Sequence, residues 1–249
     1  MLTSLPPKHA FFETILYLIK TYDHLFIRGV IITLMLSIIG TIGGFILSLF
    51  LTIVRMQKID QRRDSFSSKM LKKIGHITTY LYVTVFRGTP MIVQAMIFYY
   101  GLSGLNIPYW EPLTAGFFVV ILNTTAYIAE VIRSGINGID KGQLEAARSL
   151  GFSFNQSMFK IVLPQAIKNS LPAIGNEFIV NLKDTAVLSV IGVIDLFKAT
   201  QQATSSNFRL VEGFFIAGII YLILTAITSR IIYALEHRKP KKNRGQIYA

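Results

Sequence analysis

The chain has 249 residues, of which 52% are hydrophobic and 15% charged, with a formal net charge of +12. Soluble domains carry about 25% charged residues, so this composition favours a membrane protein. The lack of cysteine excludes disulfides and thiolate metal sites. The basic residues cluster beside long apolar segments, which argues against a nucleic-acid-binding surface.

The N-terminal third predicts an interfacial helix followed by a first membrane span. Residues 11–27 alternate apolar and polar groups at helical spacing, as in a helix that lies on a bilayer surface. Residues 26–54 are apolar for long enough to cross a bilayer, which takes about 20 residues. Gly40 and Gly44 in this span have the spacing of close helix contacts, either within the chain or in a dimer.

Four further spans follow in the hydropathy pattern. The second covers residues 77–100, with a kink predicted at Thr89-Pro90 because proline removes a backbone donor. The third covers residues 113–132 and the fifth residues 211–233. The fourth, residues 171–196, is weaker because it contains Glu177, Lys183 and Asp184. The predicted fold is therefore an all-α membrane protein with five transmembrane helices.

The distribution of Lys and Arg predicts the orientation. Residues 55–75, residues 133–170 and the tail from residue 230 together hold 18 of the 25 Lys and Arg. Basic residues next to spans mark the cytoplasmic side. Five spans place these three regions inside and the N-terminus outside. We divide the chain into an interfacial segment (1–25), a transmembrane domain (26–235, with a cytoplasmic coupling loop at about 135–168) and a basic cytoplasmic tail (236–249).

The coupling loop has a clear local pattern. Residues 143–150 predict a short helix that Gly151 ends by taking a left-handed conformation. Ser153 and Gln156 have the spacing of a capping box for the next helix. Phe154, Met158 and Ile161 then predict an apolar stripe, and we expect Pro164 to bend the chain back toward the membrane. An exposed apolar stripe suggests a docking surface.

This loop resembles the EAA loop of permease subunits of ABC importers. The similarity lies in Glu145-Ala146-Ala147, Gly151 and the Ile161-x-Leu163-Pro164 segment. Further similarity, in 86–90, 126–130, 141–143 and 182–193, is to the permeases for polar amino acids such as histidine, arginine and glutamine. Asp140 and Asn181 depart from the usual residues of that family, and the 55–75 loop is longer and more basic than usual.

The resemblance implies a type I importer fold, in which the loop docks on a separate ATPase that binds ATP and Mg²⁺. It implies further partners: a second permease subunit, an extracytoplasmic binding protein and an amino acid substrate. The coupling residues it implies are Glu145, Ala146, Ala147, Gly151, Phe154, Met158, Ile161 and Pro164. The chain contains no Gly-Lys dipeptide followed by Ser or Thr, the core of a nucleotide-binding P-loop. We therefore expect a transport subunit without catalytic residues, cofactor or metal site of its own.

Polar residues within the spans are the candidate substrate contacts, since such residues are costly in a bilayer. Asn123, Tyr127 and Glu130 share one face of the third span, and Glu177, Asn181 and Asp184 share one face of the fourth. Arg87 is a candidate for the substrate carboxylate, and Gln94 lies two turns further along. The alternative is that these groups pair internally: Glu130 with Arg133, Asp184 with Lys183, and Arg87 with a carboxylate of a span.

Three functions remain open on the sequence. The first is the permease subunit of an ATP-driven importer for polar amino acids, basic ones included, in a bacterial plasma membrane. The second is a carrier or channel driven by an ion gradient, or a permease for another small polar solute. The third is a membrane-anchored assembly protein, against which the polar stripes argue. Basic residues of the tail are candidates for contact with membrane lipids or for a topology anchor.

Overall fold

The computed structural model describes residues 5–7, 10–62 and 64–237, except for the side chains of residues 236 and 237. Among these residues the structure is helical and contains no β-strand. Residues 238–249, which make up most of the predicted basic tail (236–249), and Arg63 of the basic loop (55–75) lie outside these ranges. Nine α-helices follow one another in the described chain: α1 (Phe11–Met56), α2 (Phe66–Gly88), α3 (Met91–Ser103), α4 (Pro112–Asn137), α5 (Lys141–Ser149), α6 (Phe154–Ser157), α7 (Leu163–Asp184), α8 (Leu196–Ser205) and α9 (Leu210–His237).

Helix α4 is the centre of the fold. It packs against α1, α2, α3 and α7, and Val119, Val120 and Ala126 on it are fully buried. Helix α1 approaches α4 closely because Gly40 faces Val120 and Gly44 faces Thr124, so a Cβ at either glycine would clash with α4. The Gly40 and Gly44 pair therefore serves contact within the chain.

Helices α1, α4 and α9 are each long and apolar enough to cross a membrane, and α2 with α3 makes a fourth candidate if that bent pair is one span. These match the predicted first, third, fifth and second spans. Helix α1 joins the predicted interfacial helix to the first span, with a single non-helical residue at Tyr22. Helix α7 is not among the candidates, so the count of five spans stays a prediction.

The predicted second span consists of two helices, α2 and α3, and not of one kinked helix. The chain turns by 111° between α2 and α3, at the Thr89-Pro90 kink that the sequence predicted. Pro90 lacks an N–H, and the Gln94 side chain replaces the missing bonds by donating to the carbonyl oxygens of Phe86 (2.9 Å) and Thr89 (3.0 Å). Because the Gln94 side chain binds the carbonyl oxygens that the turn leaves free, the chain can turn here far more sharply than at an ordinary proline kink.

The predicted fourth span is also wrong as one helix. Helix α7 begins at Leu163, eight residues early, and ends at Asp184, where a 3₁₀ helix, Thr185–Ile191, continues the chain. Gly192 ends it in the left-handed conformation, with φ of +96°. The tighter helix turns Leu188 and Ile191 into the core beside Val119. Helix α8, which the sequence analysis missed, then starts at the Asp195 cap and packs on α1.

Candidate functional site

Two of the predicted substrate contacts form a hydrogen-bonded pair at the α2–α3 turn. Asn123 Nδ2 on α4 donates to Gln94 Oε1 at 2.9 Å, while the Gln94 amide nitrogen binds the turn itself. Gln94 is only 5% exposed. Both polar atoms of the Gln94 amide, the nitrogen and the oxygen, make hydrogen bonds inside the protein, so this residue holds the turn to α4 and is not available to a substrate.

Asn181 has a similar structural role between three helices. Its Nδ2 donates to Thr41 Oγ1 on α1 and to Thr124 Oγ1 on α4, each at 3.0 Å. The residue is 4% exposed, so it lies at the buried edge of the polar face predicted for α7. Leaving such a buried group unpaired costs about 1–3 kcal/mol, so these hydrogen bonds tie α7 to α1 and α4.

Glu130 on α4 is surrounded by three arginines. Arg133 binds both carboxylate oxygens through Nε at 2.9 Å and also through Nη2. Arg55 at the end of α1 and Arg87 near the end of α2 lie 3.6 Å and 3.9 Å from the same carboxylate. The internal pair Glu130–Arg133 is therefore present, and Arg87 also lies within ion-pair distance of a span carboxylate, as its alternative predicted. With three arginines around one glutamate, the cluster keeps an excess of positive charge.

This cluster lines a cavity of about 610 Å³, which we call the arginine cavity. Arg87 enters it from α2, with its guanidinium carbon 5.4 Å from the centre of the Tyr127 ring. Cation–π contacts of this kind hold a guanidinium in place without using its N–H donors. The lining residues are Arg55, Tyr80, Val83, Thr84, Arg87, Gly88, Tyr127, Glu130 and Arg133.

Glu177 and Asp184 on α7 have no ion-pair partner in the described part of the chain, where the alternative pair of Asp184 with Lys183 does not form. Glu177 lies within electrostatic range of both Asp184 and Arg87. Glu177 is half-buried and Asp184 is exposed. Among the charged predicted substrate residues, these two carboxylates lack an ion-pair partner in the described chain, and Arg87 keeps a side chain that is 43% exposed although it also lies near Glu130.

The coupling segment, residues 141–162, has the predicted joint between two short helices. Helix α5 starts two residues earlier than predicted because the Asp140 side chain accepts from the Gly142 N–H at 2.7 Å. Gly151 has a φ of +86°, as predicted. The predicted capping box is confirmed, since Ser153 Oγ accepts from the Gln156 N–H and Gln156 Oε1 from the Ser153 N–H.

The predicted exposed apolar stripe and the bend at Pro164 are wrong. Met158 is only 8% exposed, and Phe154 and Ile161 are half-buried. Pro164 lies in the first turn of α7, after a π-helical turn over Met158–Val162, so the helix continues through it. The π turn directly before Pro164 widens the helix, so the helix continues through the proline although its ring removes one backbone donor.

The exposed face of the segment lies on α5 instead. Glu145 and Ala146 are exposed, Leu150 is 79% exposed and Ala147 is buried. Helix α5 packs mainly on α6 and the π turn. The predicted joint is therefore present. The part of the segment that faces outward is α5 with Leu150, whereas the apolar residues after the joint pack against the rest of the protein.

The first basic loop contacts this segment directly, which sequence analysis did not foresee. Lys58 Nζ lies 4.5 Å from the centre of the Phe154 ring. Lys72 on α2 donates to the Lys58 carbonyl oxygen at 3.1 Å and binds both oxygens of Asp64. The hydrogen bond from Lys72 holds the pKa of the Asp64 carboxyl below its usual range. The sequence contains no separate signal for these contacts, because basic residues beside a span are normally interpreted as a sign of the cytoplasmic side.

Comparison with known proteins shows a family match over most of the chain. Residues 65–241 match the protein family described as "Binding-protein-dependent transport system inner membrane component". The arginine transport system permease protein ArtQ of Bacillus subtilis (strain 168) is 37% identical over 217 residues, 87% of this chain and 93% of that protein. The glutamine transport system permease protein GlnP of Escherichia coli (strain K12) is 33% identical, over 86% of this chain and 92% of GlnP.

Solved structures give the same result. The crystal structure of an amino acid ABC transporter with histidines contains a chain that is 39% identical, with a TM-score of 0.77 over 88% of this chain and 96% of that one. The MetNI methionine ABC transporter, in inward-facing conformations, has a chain with a TM-score of 0.65 at 19% identity, over 85% of this chain and 96% of that one. The second likeness concerns the fold alone.

Proposed function

This chain belongs to the family of binding-protein-dependent transport system inner membrane components, and we propose that it is the transmembrane permease subunit of an ATP-driven importer of polar amino acids, basic ones included. Relatives that carry arginine and glutamine transport names support the substrate class. Within that class, the two open carboxylates of α7 favour a substrate with a cationic group.

The observation that carries the proposal is the exposure of α5. A short helix that packs mainly on its own joint, with Glu145, Ala146 and Leu150 exposed, has no evident use inside a lone membrane protein. Helix α5 lies between α4 and α7 in the chain, within the sequence pattern of an EAA loop. Both features agree with a helix that docks in a cleft on a cytoplasmic ATPase. The capped joint at Gly151 and Ser153 then carries movement of α5 into α7.

Substrate recognition follows from the charges that the protein leaves open. Arg87, held on Tyr127, receives the α-carboxylate, because a guanidinium binds carboxylates with two parallel hydrogen bonds. Asp184 and Glu177 receive the α-ammonium group or a cationic side chain. Glu130 keeps the arginines in place, and Gln94, Asn123 and Asn181 shape the path without touching the substrate.

In the assembly, two permease subunits enclose the path, two ATPase subunits bind ATP and Mg²⁺, and an extracytoplasmic protein delivers the substrate. The N-terminus lies outside a bacterial plasma membrane and the C-terminus inside. Closure of the ATPases pushes the two α5 helices together and turns the path outward, and hydrolysis returns it inward. ATP drives this cycle only because it binds the two states with different affinity.

The test is purification of the tagged chain from its native membrane, followed by transport in vesicles. We expect a stoichiometric ATPase subunit to co-purify, and amino acid uptake in vesicles to require ATP. A competition panel of free amino acids then identifies the substrate. Uptake that follows an ion gradient without ATP would support the secondary carrier, and a chain that purifies without any ATPase would contradict the proposal.

A further inference from the structure

Three buried polar atoms of the described chain make no hydrogen bond, and all three belong to residues that line one cavity. They are Thr52 Oγ1, Arg55 Nη1 and His76 Nε2. The cavity has a volume of about 590 Å³ and lies between the end of α1, α2, α4 and the coupling segment. Since buried polar groups nearly always have a partner, three unpaired groups around one space mark a place for polar atoms. We call it the coupling cavity.

The walls of the coupling cavity are positively charged. Arg55, Lys58 and Arg133 line it, and no carboxylate belongs to the lining found among the described residues. Glu130 neutralises part of this charge from the arginine cavity, but Arg55 Nη1 remains 3.6 Å from its nearest oxygen and forms no hydrogen bond. A partly enclosed space with an excess of positive charge favours an anion.

The remaining walls are largely apolar, which distinguishes the cavity from a simple ion site. They consist of Met56, Ile59, Ala129, Ile136, Phe154 and Met158, with Gln57 and Asn137 at polar positions. Ligand sites of about 300–1,000 Å³ typically combine such apolar walls with a few converging polar groups. Gln57 and Lys58 are exposed, so the cavity opens on the side of the first loop.

We infer that the coupling cavity binds a small organic anion, with its carboxylate or phosphate on Arg55 and Thr52 and its apolar part against Met56, Ile136 and Met158. Thr52 is 4% exposed, so its hydroxyl is available only to a group inside the cavity. The two sources of such an anion are a soluble cytoplasmic acid and the headgroup of an anionic lipid.

The position of the site connects it to the proposed function without depending on it. Phe154 and Met158 belong to the coupling segment, whereas Thr52 and Arg55 belong to α1. A ligand that touches both resists their relative movement and so slows coupled ATP turnover. That consequence rests on the proposed function, whereas binding itself is measurable on the purified chain with no transport at all.

The test measures binding of radiolabelled hexanoate and hexyl phosphate to the full-length chain, with any co-purifying subunits, in phosphatidylcholine nanodiscs. We expect saturable binding of at least one anion, with the neutral analogue hexanamide competing weakly. Arg55→Gln should lower the affinity about tenfold or more and Thr52→Val about threefold, as expected for a charge-assisted and a neutral hydrogen bond. Arg62→Gln removes the same charge from an exposed loop position and should bind like the unmodified chain.

Nanodiscs that contain phosphatidylglycerol separate the two sources. Loss of probe binding in these discs identifies a lipid headgroup as the occupant, and unchanged binding identifies a soluble acid. The inference is overturned if neither anion binds saturably, if hexanamide competes as well as the anions, or if Arg55→Gln has no effect. The comparison of hexanoate with hexanamide needs no variant, so it stands even if a variant fails to fold.

Discussion

The ammonium nitrogen of Lys58 lies 4.5 Å from the centre of the Phe154 ring, so the loop after α1 touches the first residue of α6. This contact joins the end of the first span to the joint of the coupling segment. Under the proposed function, movement of α5 would reach α1 through this contact as well as α7 along the chain, which the first prediction tests.

The first prediction concerns that contact. Lys58→Gln removes the cation–π interaction, which contributes about 0.5–1 kcal/mol at an exposed site. We expect faster amide hydrogen exchange in residues 57–65 and a modest fall in substrate-stimulated ATP turnover. Lys73→Gln, which removes a charge from an exposed position on α2, is the control. If both variants exchange at the same rate, Lys58 does not hold the loop.

The second prediction concerns the left-handed turn at Gly151. Its φ of +86° costs a residue with a side chain about 1–2 kcal/mol, and no atom lies within 4 Å of an added Cβ. Gly151→Val should therefore reduce ATPase coupling through backbone strain while membrane insertion is unchanged. Gly151→Asn should retain most of the coupling because asparagine tolerates this conformation. Equal loss in both variants would indicate that bulk at the docking surface matters, not the turn.

Asp184 tests the proposed substrate site. Asp184→Asn keeps the shape and removes the charge, so uptake of cationic amino acids should fall several-fold while neutral substrates and basal ATP turnover change little. Glu13→Gln, at an exposed position in the first turn of α1, controls for the loss of one negative charge. Wild-type uptake of arginine and lysine by Asp184→Asn would remove this residue from the site.

The fourth prediction tests whether Asn181 stabilises the fold or contacts the substrate. Asn181→Leu leaves the hydroxyls of Thr41 and Thr124 without their shared partner, and we expect a loss of about 1–3 kcal/mol in stability. The melting temperature of the purified protein should drop, and the order of preference among amino acids should stay the same. In a double-mutant cycle with Thr124→Val, the two losses should be less than additive. A changed substrate preference would return Asn181 to the substrate site.

Much of the fold was determined by local sequence. Long apolar runs give α1, α4 and α9, because a segment of that length and composition has few alternatives to a buried or membrane helix. The capping box at Ser153 and the left-handed Gly151 depend on neighbours within three residues, so the sequence alone predicts them. The same holds for the kink at Pro90, although not for its angle.

Which polar residues are open to a ligand depends on the packing of helices that are distant in the chain. Asn181 looked like part of a binding face, but its partners Thr41 and Thr124 lie 140 and 57 positions away in the chain. Arg55 looked like a topology signal, yet at the end of α1 it lies 3.6 Å from the carboxylate of Glu130 on α4. Helical spacing places side chains on a common face, whereas the occupation of their hydrogen bonds depends on which distant helix packs there, and that is a property of the folded chain.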